Sequence, residues 1–258
     1  MNAPRVKYPR TMHLPWSPGM SNDDRVISAH GLDILGGVDT VLTEKMDGGN
    51  VTLMRDAFYC RSLDSGTPKW EKFAKAEWAR IAHDIPEGWR VSCESMWARR
   101  SVSYDDLDGA LLVFGIWSET HLLSWNETVE WAALLGLPTV PVLGRNVPLN
   151  DLYRTWSHQR DERISEGFVV RDANSFLIEE FPLRVAKWVR SGHVQTEADW
   201  RHRSDFETNG FKKGNDVNED AHVQRDRDTA ELHERFANRD KTREGAIEEL
   251  IVEMDGVR

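Results

Sequence analysis

Eight short apolar runs, none longer than eight residues, recur between positions 38 and 190: 38–44, 50–55, 89–93, 110–117, 139–143, 167–171, 176–180 and 184–190. Their length is that of strands and is too short for helices. Three intervening stretches carry apolar residues at helical spacing instead. Trp70, Phe73, Ala74, Trp78, Ile81, Ala82 and Ile85 form one stripe, predicted to turn its tryptophans inward. Trp125, Val129, Ala132 and Ala133 form a second, opened by the capping-box pair Ser124 and Glu127 and closed by Gly136. A third helix is expected near 149–159. Between the first two runs, Asp47-Gly48-Gly49 reads as a tight loop. The sum is a mixed α+β domain built mainly on antiparallel sheet.

The flanks differ in character. Residues 8–19 are Pro-rich and aromatic, predicting an extended lead-in packed on the domain surface. Beyond Arg190 large apolar side chains thin out, and residues 205–228 read as linker or mobile loop. Leu232 with Phe236, and Ala246, Ile247, Leu250, Ile251 and Met254, predict two short helices after it. The expected division is a domain over 1–203 and a charged, short helical C-terminal appendage over 204–258. The net charge of −10 argues against broad coating of nucleic acid. Acidity is concentrated after Arg190, where 17 acidic residues face 11 basic ones, so a local basic cluster elsewhere can still grip a few phosphates.

Composition removes several classes. With 40% hydrophobic residues and 11 tryptophans the chain has ample material for a core. No window approaches 18 consecutive apolar residues and the first residues lack a signal-peptide pattern, so a cytoplasmic protein without membrane contact is expected. Cys60 and Cys93 lack CxxC spacing and read as small buried hydrophobes. His193, His202 and His222 lack metal-ligand spacing.

The densest chemical signal is Thr43-Glu44-Lys45-Met46-Asp47-Gly48-Gly49-Asn50. A lysine at the end of a β-like run, followed by an acid and two glycines, can present its amine to a phosphate while backbone approaches closely. Asp47 is expected to orient the loop by accepting backbone hydrogen bonds. Glu94 and Glu166 sit beside apolar runs, where an unpaired carboxylate is costly, so a functional or paired role is favoured for both. Taken alone, Phe114 in its apolar strand reads as core, Arg61 and Arg190 as surface ion-pair residues, and the lysine loop as a hairpin turn.

In order along the chain come Arg61-Ser62, Cys93-Glu94-Ser95, Val113-Phe114-Gly115-Ile116-Trp117, Ser165-Glu166-Gly167-Phe168-Val169-Val170 and Ala186-Lys187-Trp188-Val189-Arg190. With the lysine loop, this series resembles the motifs of the covalent nucleotidyltransferases. The lead-in with His13 and the stretch from Ala98 to Leu107 resemble the RNA ligase 2-like branch of ATP-dependent RNA ligases. The resemblance covers roughly residues 8–200 and implies an ATP-grasp-like ligase adenylation domain. It implies ATP and Mg²⁺ as cofactors, RNA with 5'-phosphate and 3'-hydroxyl ends as partner, and a monomeric RNA-repair ligase. Lys45 is then the nucleophile toward ATP; Glu166 binds the metal or orients Lys45, and Lys187 neutralises the α-phosphate. The Glu44 backbone reads adenine, Asn50 and Arg61 hold ribose and phosphate, Glu94 accepts ribose hydroxyls, and Phe114 stacks on the base.

Val189 departs from the lysine pair of the last motif, so Arg190 either supplies the second charge or that charge is missing. A DNA or RNA:DNA nick ligase using the same lysine, and a non-catalytic nucleotide or RNA-end binding protein, are the alternative readings. The residues for ATP binding and lysyl-AMP formation fall between Tyr8 and Arg190, so a chain ending after His202 is expected to keep self-adenylylation. Lys212 and Lys213, between Gly210 and Gly214, are expected to reach RNA from a mobile loop.

Overall fold

The computed structural model describes residues 4–63, 68–192 and 207–212. All lie in the first of two compact units, 1–214. The second, 215–258, with the two expected C-terminal helices, lies outside the described residues, as do Lys213, His193, His202 and His222.

The chain runs β1 (Met12–His13), α1 (Ala29–Gly37), β2 (Thr40–Lys45), β3 (Gly49–Leu53), β4 (Phe58–Cys60), α2 (Lys72–Ile81), β5 (Arg90–Ser95) and β6 (Leu111–Trp117). It continues with β7 (His121–Leu122), α3 (Trp125–Leu134), β8 (Val142–Arg145), α4 (Leu152–Gln159), β9 (Gly167–Asp172), β10 (Phe176–Leu177), α5 (Phe181–Arg184) and β11 (Val185–Val189). One sheet has the order β1-β11-β9-β2-β8 and the other β10-β7-β6-β5-β3-β4. Neighbouring strands pair antiparallel throughout, except β1 with β11. The domain is therefore mixed α+β with antiparallel-dominated sheets, as the sequence predicts.

Period-two alternation gives the first sheet two different faces. Leu42, Phe168, Val170, Ala186 and Trp188 enter a core that α1 and α4 cover with Leu35, Leu152 and Trp156. Here Phe168 stacks on Trp188 at 5.4 Å, and the Trp156 indole donates to Ser165 Oγ at 3.2 Å. The intervening residues Lys45, Val169, Arg171, Val185 and Lys187 line a cleft of about 870 Å³ whose other wall belongs to the second sheet.

β2 and β3 follow each other in sequence but lie in different sheets, so Met46–Gly48 is a crossover and not the hairpin turn that the short motif alone indicated. The lysine loop thereby sits at the edge of the cleft.

The capping box of α3 forms as predicted, with Ser124 Oγ accepting from Glu127 N and Glu127 Oε2 from Ser124 N, and Gly136 at φ +67° ends that helix. Other expectations need correction. The 70–85 stripe becomes α2 between two 3₁₀ turns, and only Ala74 and Ile81 of α2 are buried. Trp78 bonds Met54 O from a half-buried position, Phe73 stacks on Trp97 at 4.2 Å, and Trp70 lines the cleft. The 139–143 strand starts at Val142, because Pro141 has no N–H to donate. Run 176–180 is a two-residue strand followed by a 3₁₀ turn into α5, whose Pro182 suits a helix start. Cys93 is buried, but Cys60 is half-buried at the cleft.

Helix α1 has no apolar stripe to announce it, and three of its nine residues are glycines. Its one local signal is Ser28, whose Oγ caps Gly31 N at 3.1 Å. Packing overrides the poor propensity: a Cβ on Gly31 would stand 3.3 Å from Leu183 Cα, so the glycine permits close approach of α5. Residues 207–212, on the appendage side of the expected boundary, are seated on the first unit through bridges of Thr208 to Ala98 and Phe211 to Leu107. Lys212 is correspondingly fixed: its Nζ pairs with Asp108 at 2.7 Å and its amide bonds Leu107 O.

Candidate active site

Lys45 closes β2 directly opposite Gly167, the first residue of β9. Gly167 has φ +152°, and a Cβ there would fall 2.0 Å from Trp188 O, so this position excludes a side chain. The tight junction holds Glu166 with its Oε1 2.7 Å from Lys45 Nζ. Lys187 enters the same cleft from β11, paired across from Val169.

The charges around Lys45 are unbalanced toward acid. Burial alone would pull its amine down, but Glu166, Glu94 and Asp47 outweigh burial and hold the pKa above 10.5. Burial pushes Glu94 up to about 7, with Glu166 and Asp47 adding to the rise and Lys45 and Arg100 opposing it. Lys187 is lowered by burial and then by the charge of Lys45.

The crossover loop is glycine-dependent for reasons of space. A Cβ on Gly48 would meet Ser95 O at 2.6 Å, and one on Gly49 would meet Glu71 Oε1 at 2.6 Å. Gly48 N donates to Glu94 Oε1 at 3.1 Å. Asp47 orients the loop as expected, its Oδ2 accepting from Val102 N at 2.8 Å.

On the second sheet Asn50 pairs with Glu94 across β3 and β5, and Asn50 Oδ1 is buried without a hydrogen-bond partner. Arg61 donates its amide to Asn50 O and extends an exposed side chain along the cleft. Phe114 is placed by a β-bulge: Ser92 pairs with Gly115 and Cys93 with Val113, leaving Phe114 as the extra residue. It is the half-buried member of an otherwise buried β6, with Tyr8 edge-on at 5.1 Å. Its ring thus lines the cleft while packing against the core cluster that contains Met46 and Trp125, so the core reading of the strand taken alone holds only in part. Glu44 faces the other way: its carboxylate bonds Arg160 and Ser165, and its amide bonds Pro141 O.

A model of the RNA ligase family matches residues 38–189, which contain the lysine loop, both carboxylates and Lys187. The chain belongs to the RNA ligase family. Solved structures with the same fold include a candidate ATP-dependent DNA ligase from Aquifex aeolicus, 18% identical, with a TM-score of 0.50 over 71% of this chain and 50% of that one. An archaeal ATP-dependent RNA ligase is 16% identical at a TM-score of 0.48, over 71% of this chain and 48% of that one. A mutant RNA ligase of Naegleria gruberi with ATP and Mn is 12% identical at 0.46, over 72% of this chain and 56% of that one. This chain spans about half the length of these structures. No curated protein matches it.

In this member of the family, Arg190 is not among the residues lining the cleft. Its guanidinium bonds Ser165 O at 2.9 Å and reaches Ser191 O, while Val189 is buried where the motif's second lysine is expected. Further cleft residues had little sequence signal. Arg171 points in beside Val169, and Arg100 arrives on an irregular loop. The lead-in is more than surface packing: His13 is fully buried opposite Lys187, with Nδ1 2.8 Å from Ser17 Oγ. Burial and Lys187 lower its pKa to about 4, so the ring is neutral at pH 7. Asp24 stands 3.4 Å from His13 Nε2 and 3.8 Å from Lys187 Nζ, bracing the lysine from the lead-in side.

Proposed function

We propose that the protein is an ATP-dependent RNA ligase that joins 5'-phosphate and 3'-hydroxyl RNA ends through lysyl-AMP and adenylylated-RNA intermediates. The observation carrying this reading is the Lys45–Glu166 contact of 2.7 Å in a cleft that also holds Glu94 and Lys187. In the first step the Lys45 Nζ lone pair forms a bond to the α-phosphorus of ATP and the bond to pyrophosphate breaks. A 5'-phosphate oxygen next takes the AMP from lysine. A 3'-hydroxyl then attacks the activated phosphate and releases AMP. Each step is an in-line displacement at phosphorus, served by positioning and charge neutralisation.

Lys45 must shed its proton before attack, and its acidic surroundings hold that proton in the nucleotide-free protein. Glu166 orients the amine, and Lys187 offsets charge on the α-phosphate. Phe114 offers a ring face to the base. The Glu44 backbone is assigned to the adenine edge through its carbonyl, since its amide donates to Pro141 O. Asn50 Oδ1, buried without a partner, suits a ribose hydroxyl, as does Glu94 Oε2, while Arg61 reaches phosphate.

A divalent cation fits the chemistry of the donors, because the cleft offers the hard carboxylate oxygens of Glu94 and Glu166, which suit Mg²⁺. Glu166 would hold it, and when bound it would polarise phosphate oxygens and counter the pull of the carboxylates on the amine proton.

Incubation with α-labelled ATP tests the first step: wild type takes up covalent label and Lys45→Ala does not. Joining assays on matched RNA and DNA nicks test the substrate. A preference for a 3'-terminal ribose supports the reading, and equally fast sealing of all-DNA nicks overturns it in favour of a DNA ligase.

A further inference from the structure

The lysine loop is held from outside by a segment far away in sequence. Asp47 accepts from Val102 N and donates its own amide to Tyr104 Oη at 3.1 Å, so the stretch 97–107 lies against the loop. That stretch also brings Arg100 and Ser101 to the cleft. It is fastened in turn by residues 207–212. Arg99 N donates to Glu207 O, Asn209 N to Trp97 O, Gly210 N to Tyr104 O, and Leu107 N to Gly210 O, at 2.7 to 3.2 Å.

Asn209 is the centre of this clip. It is 5% exposed and uses both ends of its amide: Oδ1 accepts from Tyr104 N at 3.1 Å and Nδ2 donates to Met96 O at 2.7 Å. Tyr104 is thereby held at its backbone by Asn209 and Gly210 and at its hydroxyl by Asp47. Apolar packing follows the same path. Phe211 stacks on Trp97 at 5.7 Å and joins the cluster containing Met46, the residue after Lys45. A Cβ on Gly210 would lie 2.7 Å from Asp105 O, so the two backbones meet without room for a side chain. Shortening Asn209 would strip partners from Tyr104 N and Met96 O, groups that are costly to leave unpaired when buried.

We propose that Asn209 is a positioning residue for nucleotidyl transfer: through Tyr104 and Asp47 it fixes the Lys45 amine relative to the α-phosphate, making residues 207–212 part of the adenylylating unit. This rests on Lys45 being the nucleophile, and it reverses the expectation that a chain ending after His202 keeps self-adenylylation. Misplacement of a reacting group by about 1 Å can cost on the order of a hundredfold in rate without altering ground-state binding.

The test measures single-turnover lysyl-AMP formation with labelled ATP in the full chain, together with thermal unfolding. Asn209→Ala and Tyr104→Phe should each lower the rate at saturating ATP by about ten- to a hundredfold, with the half-saturating ATP concentration changed little. Because the two act in one relay, the double variant should be no slower than the slower single variant. Arg154→Ala, which removes an exposed ion pair with Asp151 at the start of α4, away from the cleft and the clip, should react as wild type. A wild-type rate in Asn209→Ala, or a loss that only tracks its unfolded fraction, overturns the proposal. Label persisting in Lys45→Ala would instead remove the premise, so the two failures are distinguishable.

Discussion

Glu94→Gln should make the nucleotide-free protein more stable above neutral pH. Burial, with Glu166 and Asp47 behind it, raises the Glu94 pKa from 4.5 to about 7 in the folded protein. Between those values the folded chain keeps a proton that the unfolded chain releases. The protonated carboxyl therefore favours folding fully below pH 4.5, and that contribution is lost as pH rises through 7. At about 1.4 kcal/mol per unit, the interval is worth about 3 kcal/mol. Glutamine retains an oxygen able to accept from Gly48 N but never ionises, so the variant escapes the loss. Urea unfolding of both proteins, extrapolated to water from pH 4.5 to 8.5, should show curves that coincide at the acid end and diverge by up to about 3 kcal/mol at the alkaline end. Parallel curves would refute the reasoning. On the proposed roles the same variant needs more ATP, because it gives up the charge that meets the ribose.

Gly167→Ala should lose about 3 kcal/mol or more, from φ strain and collision with Trp188 O, and should drop the thermal midpoint; an unchanged midpoint contradicts the tight β9–β11 junction. Phe114→Ala should raise the ATP requirement for lysyl-AMP formation by about 5- to 150-fold, the equivalent of about 1 to 3 kcal/mol of base stacking, while Phe114→Trp is tolerated. Equal losses in both, with equal unfolding, would return Phe114 to the core. Ser124→Ala removes the α3 cap and should cost about 0.5 to 2 kcal/mol in unfolding measurements while the labelled-ATP reaction continues in the folded protein.

Local chemistry carries much of this protein in its sequence. The capping box of α3, the stop at Gly136, the strand runs and the lysine loop are all readable because each depends on neighbours within a few residues. The order of the motifs likewise located Lys45, Glu94, Glu166 and Lys187, which share one cleft. Tertiary structure decided which sheet each strand joins, and so turned a predicted tight loop into a crossover between sheets. It also decided which face each residue shows. One extra residue in β6 re-aims Phe114 toward the cleft, and strand alternation sends Glu44 to Arg160 while its neighbour Lys45 meets Glu166. Helix α1 and the 207–212 clip were hidden for the same reason: glycine-rich or polar segments gain their order from partners distant in the chain. Sequence periodicity reports local geometry, whereas a strand's partner and register depend on long-range pairings, and a shift of one residue reverses every side chain along it.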